Sequence, residues 1–345
     1  MTESERLSGT DRGSAVSAGA AIATPHVRAV QPWPLRSRSL VLGERTLVMG
    51  IVNVTPDSFS GDGLHATPTG SHDAGQSEAQ GGMVARGVEH ALRLLDEGAA
   101  LLDLGAESTR PGSGAGGVAA ISTAEEQDRL LPVLEALLRE RPEAIVSVDT
   151  YRAATARAAL AAGAEIVNDV SGFLWDPEMA ATCAQQRCGI VLMHTRGRPD
   201  EWRTLPALVP EQVVPLVLAG LQERLQAADA AGIAAERIVL DPGYGFGKAF
   251  QANYHLLHAQ PALLALGRPL LVGVSRKSFL GRTLAPLHGG ADAPTHSRDN
   301  ATIAASVAAV LYGASIVRVH AVRSMVEAAV IADAVLAGQI FQNKG

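Results

Sequence analysis

The chain has 345 residues, 47% of them hydrophobic and 19% charged, with a formal charge of −6. That composition is globular and excludes a disordered, collagen-like or coiled-coil chain. The acidic balance gives no field for a nucleic-acid backbone, and aromatic residues at 4% leave little for base stacking, so no nucleic-acid partner is expected.

Residues 1–35 are rich in Ser, Ala, Gly and Thr with scattered charge, and read as a flexible tail ahead of one domain spanning 36–345. Glu3, Glu5 and Asp11 sit among Arg6 and Arg12, so no positive segment precedes an apolar one as in an export signal. The uncharged stretch 301–317 is short, rich in Ala and Ser, and changes character at Gly313; it reads as a buried helix and then a strand. Cys183 and Cys188 make no disulfide framework and lack the spacing of a zinc or redox pair. A cytoplasmic protein without membrane attachment is expected.

One pattern recurs along the domain: a short apolar run, a polar turn, then a helical period. The runs are 47–53, 100–106, 144–150, 165–171, 189–195, 237–243, 269–275 and 315–321. Apolar runs of this length suit strands covered on both faces. Between them, 84–97 places Val84, Val88, Ala91, Leu92 and Leu95 on one stripe. Segment 123–139 opens on Thr123 three residues before Glu126, a capping-box spacing, and carries Leu130, Leu134 and Leu138. Segments 65–82 and 285–298 lack a hydrophobic period and read as exposed insertions. Eight strands alternating with helices predict an α/β protein, a parallel sheet closed into a (β/α)₈ TIM barrel, with a doubly wound open sheet as the alternative.

Nearly every apolar run ends in a polar side chain: Asn53, Glu107, Asp149, Asn168 with Asp169, His194, Asp241, Ser275, and Arg318 with His320. In a barrel these ends share one rim, where active sites are built. A buried polar group costs free energy unless paired, so such a ring points to function. Other motifs fail. Segment 243–248 looks like a phosphate loop, but Pro242 and Ala249 break the spacing. Neither HExxH nor GxSxG occurs, which weighs against zinc and hydrolase chemistry.

The strings MGIVNVTPDSFSGDG, DLGAESTRPG, SVDT, NDVSG, LDPGYGFGK, SRKSFLG and RVH stand in this order. Together they closely resemble the dihydropteroate synthase family, over roughly residues 40–340. The resemblance implies a transferase of folate biosynthesis. Such an enzyme joins 6-hydroxymethyl-7,8-dihydropterin diphosphate to p-aminobenzoate and releases 7,8-dihydropteroate and diphosphate.

It also implies residue roles. Asp149, Asn168, Asp241 and Lys277 would hold the pterin ring. Asp241 would accept its amide N–H and exocyclic amine side by side, and Lys277 would donate to a ring carbonyl and nitrogen. Arg318 would lie over the pterin face and still offer donors to phosphate. Asn53 would be a magnesium ligand, with His320 and Arg318 beside the diphosphate. Thr109, Arg110, Ser58 and Phe59 would meet the p-aminobenzoate end, and Ser278 would help seat its carboxylate. Asp149, Lys277 and Arg318 are the expected catalytic set, Mg2+ the expected cofactor, and a homodimer the expected assembly. The chain departs from the family at the shifted Asp62, at Thr195 and at Ala321.

Overall fold

The computed structural model describes residues 28–55, 76–109, 115–117 and 120–342. A short antiparallel hairpin comes first, β1 (Gln31–Pro34) and β2 (Ser39–Leu42). Eight parallel strands follow: β3 (Leu47–Asn53), β4 (Leu101–Gly105), β5 (Val146–Asp149), β6 (Ile166–Asp169), β7 (Gly189–Met193), β8 (Ile238–Asp241), β9 (Leu270–Val272) and β10 (Ala314–Val319). Each pairs with the next, and β10 returns to pair with β3, closing the barrel. All eight expected strands are present. The helices are α1 (Gln76–Asp96), α2 (Thr123–Glu140), α3 (Ala153–Ala161), α4 (Met179–Gln186), α5 (Pro210–Ala230), α6 (Phe250–His258), α7 (Ser278–Thr283), α8 (Asp299–Leu311) and α9 (Val322–Gln342).

The pleat of the strands builds the interior in layers, because alternate side chains face opposite sides. On the outer side Leu102, Leu104, Val148, Val167, Leu240, Val317 and Val319 pack in the core shared with the helices, which contribute Leu94, Leu130, Leu134 and Leu137. On the inner side Met49, Leu101, Ile166, Val191, Val239, Leu271 and Ile316 form a separate apolar cluster at the start of the barrel. Two residues further along β4, β6, β8 and β10, the same inward face carries Asp103, Asn168, Asp241 and Arg318. The bottom of the barrel is therefore greasy and the next layer is polar.

The hairpin plugs the greasy end. Trp33, Leu35 and Leu42 are buried against that inner cluster. The Trp33 indole donates to the Arg237 carbonyl over 2.8 Å. Arg28, also buried, donates to Thr46 and to Asp333 of α9. Residues 28–35, read from the sequence as the end of a tail, thus pack on the barrel. The sequence hid this because one buried Trp in a four-residue strand leaves no periodicity to read.

Two further expectations shift. Residues 76–82, read from the sequence as lacking a hydrophobic period, are helical as the first turns of α1, and 65–75 lie outside the described residues. Helix α2 is capped by Ser122, whose hydroxyl accepts the Glu125 N–H over 3.1 Å, and Thr123 is its first residue. Segment 285–298 contains two short 3₁₀ turns between α7 and α8. The uncharged stretch is α8, a left-handed turn at Gly313, and β10. No helix among the described residues is long and apolar enough to cross a membrane.

Candidate active site

The inward polar layer is one connected network. Arg318 donates from Nε to Asp103 Oδ2 (2.5 Å) and from Nη2 to Asp149 Oδ2 (2.7 Å). Asn168 Nδ2 donates to the same Asp103 oxygen over 2.9 Å. Asp149 and Asn168 are register neighbours on β5 and β6, and Asp149 is beside Gly105 of β4. Burial pushes the Asp149 carboxyl up to about 7 against the opposing pull of Arg318, and the nearby Asp103, Glu126 and Asp169 push it the same way. Burial also works against the Arg318 charge, but Asp103 and Asp149 outweigh it and the guanidinium is held cationic.

Across the barrel, Asp241 accepts the Gly243 N–H through Oδ1 over 2.7 Å. Its Oδ2 faces the same space above Gly273 as Arg318: a β-carbon at Gly273 would lie 3.8 Å from Asp241 Oδ2 and 3.9 Å from Arg318 Cβ. Burial raises the Asp241 carboxyl, opposed by the Gly243 N–H and by Lys277 and Lys248. Lys277 comes from the turn before α7. There Arg276 holds φ +56, fixed by its ion pair with Asp299 (2.7 Å) and by the Thr302 hydroxyl on its N–H (2.9 Å). Lys277 Nζ stands 3.8 Å over the Phe246 ring. Burial brings its ammonium down to about 7, and Asp241 pulls it back up.

The stretch that resembled a phosphate loop has a structural explanation. Lys248 Nζ is buried and donates to the carbonyls of Gly243 (2.7 Å), His194 (3.2 Å) and Phe246 (3.2 Å), closing its own loop. At Gly243 (φ +67) a β-carbon would be 1.9 Å from the His194 carbonyl, so only glycine fits. His194 packs on Gly220 of α5, and burial first, then Lys248 and Arg196, bring its imidazole down to about 2. It stays neutral and structural. Asp169 is also occupied: its carboxylate accepts the N–H groups of Ser171 and Phe173 and the Ser171 hydroxyl.

The structure brings Asp149, Asn168, Asp241, Lys277 and Arg318 together at one end of the barrel. It adds Asp103, which sequence reasoning missed. Its signal in the sequence is a carboxylate in the middle of the apolar LLDLG run, away from the strand end. Asp103 is fully buried and its Oδ1 has no hydrogen-bond partner. Asn53 ends β3 beside Gly105, half-buried. The Ser275 hydroxyl and His320 Nδ1 lie 2.9 Å apart next to this layer. Thr109 is half-buried at the start of the β4–α2 loop, and Ser278 is exposed at the first turn of α7. Ser58, Phe59 and Arg110, like Asp62, lie outside the described residues. Among the described residues no group of three or more His, Cys, Asp or Glu could by itself hold a metal.

A closed parallel barrel that gathers carboxylates, an amide and two cations at the C-terminal ends of its strands defines a class. Residues 49–320 match the family of pterin binding enzymes. Within that class the relatives are specific. The chain is 44% identical over 283 residues to the dihydropteroate synthase of Mycobacterium leprae, covering 81% of this chain and 90% of that protein. The solved dihydropteroate synthase of Xanthomonas albilineans with 4-aminobenzoic acid superposes with a TM-score of 0.73 at 38% identity, covering 90% of this chain and 99% of that one. The Yersinia pestis enzyme in a sulfonamide drug complex gives 0.75 at 36% identity, with 89% and 100% covered. The chain belongs to the dihydropteroate synthase family. The expected TIM barrel and the expected transferase of folate biosynthesis are both met.

Proposed function

We propose that this chain condenses 6-hydroxymethyl-7,8-dihydropterin diphosphate with p-aminobenzoate, using the polar layer of the barrel as its pterin pocket. The observation that carries the reading is the placement of Arg318. Two carboxylates fix its guanidinium above a pocket that also holds Asn168, Asp241 and Lys277. Asp241 accepts the pterin's amide and amine protons, Lys277 and Asn168 donate to its acceptors, and Arg318 covers its face. In the reaction the bond from the pterin methylene to diphosphate oxygen breaks and the leaving group takes the electron pair. The electron-rich ring spreads the positive charge left on the methylene, and the Asp149 carboxylate stabilises that charge. The amine nitrogen of p-aminobenzoate then bonds to the methylene and loses a proton. An aromatic amine is already unprotonated at neutral pH, so no strong general base is needed.

Asn53 and the substrate suit a hard cation. One amide oxygen with diphosphate and water oxygens is the donor set magnesium prefers. Bound magnesium would neutralise charge on the departing diphosphate. His320 and Arg318 would hold that group, and Thr109, Arg110, Ser58, Phe59 and Ser278 would meet the aminobenzoate. The X. albilineans relative solved with 4-aminobenzoic acid supports this second substrate, and the Y. pestis sulfonamide complex supports competition by sulfonamides at its site.

A second copy of the chain would dock on α9, where Val330 (62% exposed), Ile331 (66%) and Val335 (51%) turn apolar side chains to the surface. Light scattering of the purified protein tests this, and a monomer at micromolar concentration rules it out. The free, buried Cys183 and Cys188 fit a reducing cytoplasm. The decisive assay supplies both substrates with magnesium and follows diphosphate. Release that requires p-aminobenzoate supports the synthase; pterin binding without release makes the chain a silent binder.

A further inference from the structure

A buried ion cluster beside the pterin pocket is not used by the mechanism above. Its centre is Arg152, which follows Asp149, Thr150 and Tyr151 on the turn from β5 to α3. Arg152 Nη1 is 2.9 Å from Glu107 Oε2 and 3.1 Å from Glu126 Oε2. Its Nη2 donates to the Ile121 carbonyl over 2.5 Å. Glu107 Oε1 accepts the Ile121 N–H over 3.1 Å, so the guanidinium and the carboxylate hold both polar groups of one peptide residue.

Glu107 opens the connection from β4 to α2, and Ile121 stands at its far end, just before the Ser122 cap. Tyr151 adds a third tie: its hydroxyl donates to Glu107 Oε2 (2.8 Å) and accepts the Gly116 N–H (2.8 Å). Glu126 is 1% exposed and takes the hydroxyls of Thr150 (2.7 Å) and Thr155 (2.5 Å), so Arg152 is braced from behind. Apart from the Glu107–Ile121 bond, the ties come from the three residues after Asp149 or from the two helices behind them. Thr109 is two residues beyond Glu107.

The desolvation cost of this much buried charge is offset only while its pairs and hydrogen bonds keep one fixed geometry. That geometry sets the position of the first loop residues, Glu107–Thr109, relative to Asp149. We propose that Glu107, Tyr151 and Arg152 form a clamp that positions Thr109 for the aromatic amine substrate, leaving the pterin pocket itself unaffected. The inference rests on the reading of Thr109 as a p-aminobenzoate contact. The three are positioning residues, because they act through Thr109.

Two mild substitutions test the clamp without orphaning Glu126. Tyr151→Phe deletes only the hydroxyl shared by Glu107 and Gly116; Arg152→Lys keeps the charge and loses the fork that reaches Ile121. Each is expected to raise KM for p-aminobenzoate by about tenfold, the scale of one or two lost hydrogen bonds, with the Kd for pterin diphosphate alone within about twofold of the native value. Amide hydrogen exchange at Gly116 and Ile121 should quicken in both variants. An unchanged KM, or parallel losses in KM and pterin Kd, overturns the clamp. Should the native protein make no product, the functional reading fails, and unchanged exchange at Gly116 and Ile121 would then still refute the clamp by itself.

Discussion

Arg318 Nε donates to Asp103 Oδ2 over 2.5 Å, joining residues 215 positions apart in the chain at the centre of the barrel. Asp103 is fully buried, so its charge is tolerable only because Arg318 and Asn168 share one of its oxygens. Asp103→Asn keeps the shape and removes the charge that fixes Arg318. The Kd for pterin diphosphate should rise by about 10- to 100-fold, or about 1.4–2.8 kcal/mol, with the far-ultraviolet dichroism unchanged. Titration calorimetry of the folded variant decides the matter; native affinity would remove Asp103 from the machinery.

Asp241→Ala deletes the carboxylate assigned to the pterin's paired N–H groups. Binding should weaken by about 2–5 kcal/mol, as when one partner of a buried charge-assisted pair is removed. It also releases the Gly243 N–H, so a loss of melting temperature is expected alongside. A variant that melts earlier but binds pterin normally would confine Asp241 to a loop-holding role.

The pH dependence of pterin affinity follows from two opposed shifts. Asp149 is pushed up to about 7, so it is anionic only above that pH. Lys277 is brought down to about 7, so it is cationic only below it. A site that needs both charges should bind best near neutrality and lose affinity on either side. Asp149→Asn should erase the acid limb and leave the alkaline one. The stability signs differ: Asp149 costs the empty fold most above pH 7, and Lys277 costs it most below. An affinity flat from pH 5 to 9 would refute the assignment of both groups.

The barrel was legible because both-face-buried strands write a plain signal, and eight of them leave few topologies. Most of the pocket was legible for the same reason: a polar residue ending an apolar run stands out. Asp103 escaped because it sits inside its run, where only the inward–outward alternation of β4 reveals it. The hairpin escaped because four-residue strands have no period. Ser122 escaped because Thr123 offered the same chemistry one residue later, and only backbone geometry decides which of two adjacent hydroxyls caps a helix. His194 and Lys248 stood at suggestive places, yet tertiary packing turned both into structural parts.

Trp33 separates stability from function. It is fully buried at the end of the barrel opposite the pocket, in the hairpin that covers the inner apolar cluster. Trp33→Ala should cost about 3–5 kcal/mol of stability through the cavity left behind. The urea midpoint should fall while both KM values hold. A change in pterin affinity would mean that the plug and the polar layer are mechanically coupled.

Gly245 holds φ +81 in the loop closed by Lys248. A β-carbon there would lie 2.9 Å from Lys277 Cδ, so Gly245→Ala meets two obstacles at once. The left-handed backbone costs about 1 kcal/mol or more for a residue with a side chain. The new methyl also pushes the lysine stem away from Phe246, over whose ring the ammonium now rests at 3.8 Å. Because that ammonium faces Asp241, the damage should reach the pterin pocket as well as the fold. Pterin affinity should drop about tenfold, a cost of about 1.4 kcal/mol. The alkaline limb of the affinity profile should move as Lys277 changes surroundings. Gly232→Ala supplies the control: Gly232 has a similar φ of +77 but nothing within 4 Å of its β-carbon, so it should lose stability alone. Equal effects of the two substitutions on binding would show that backbone strain, and not contact with Lys277, was responsible.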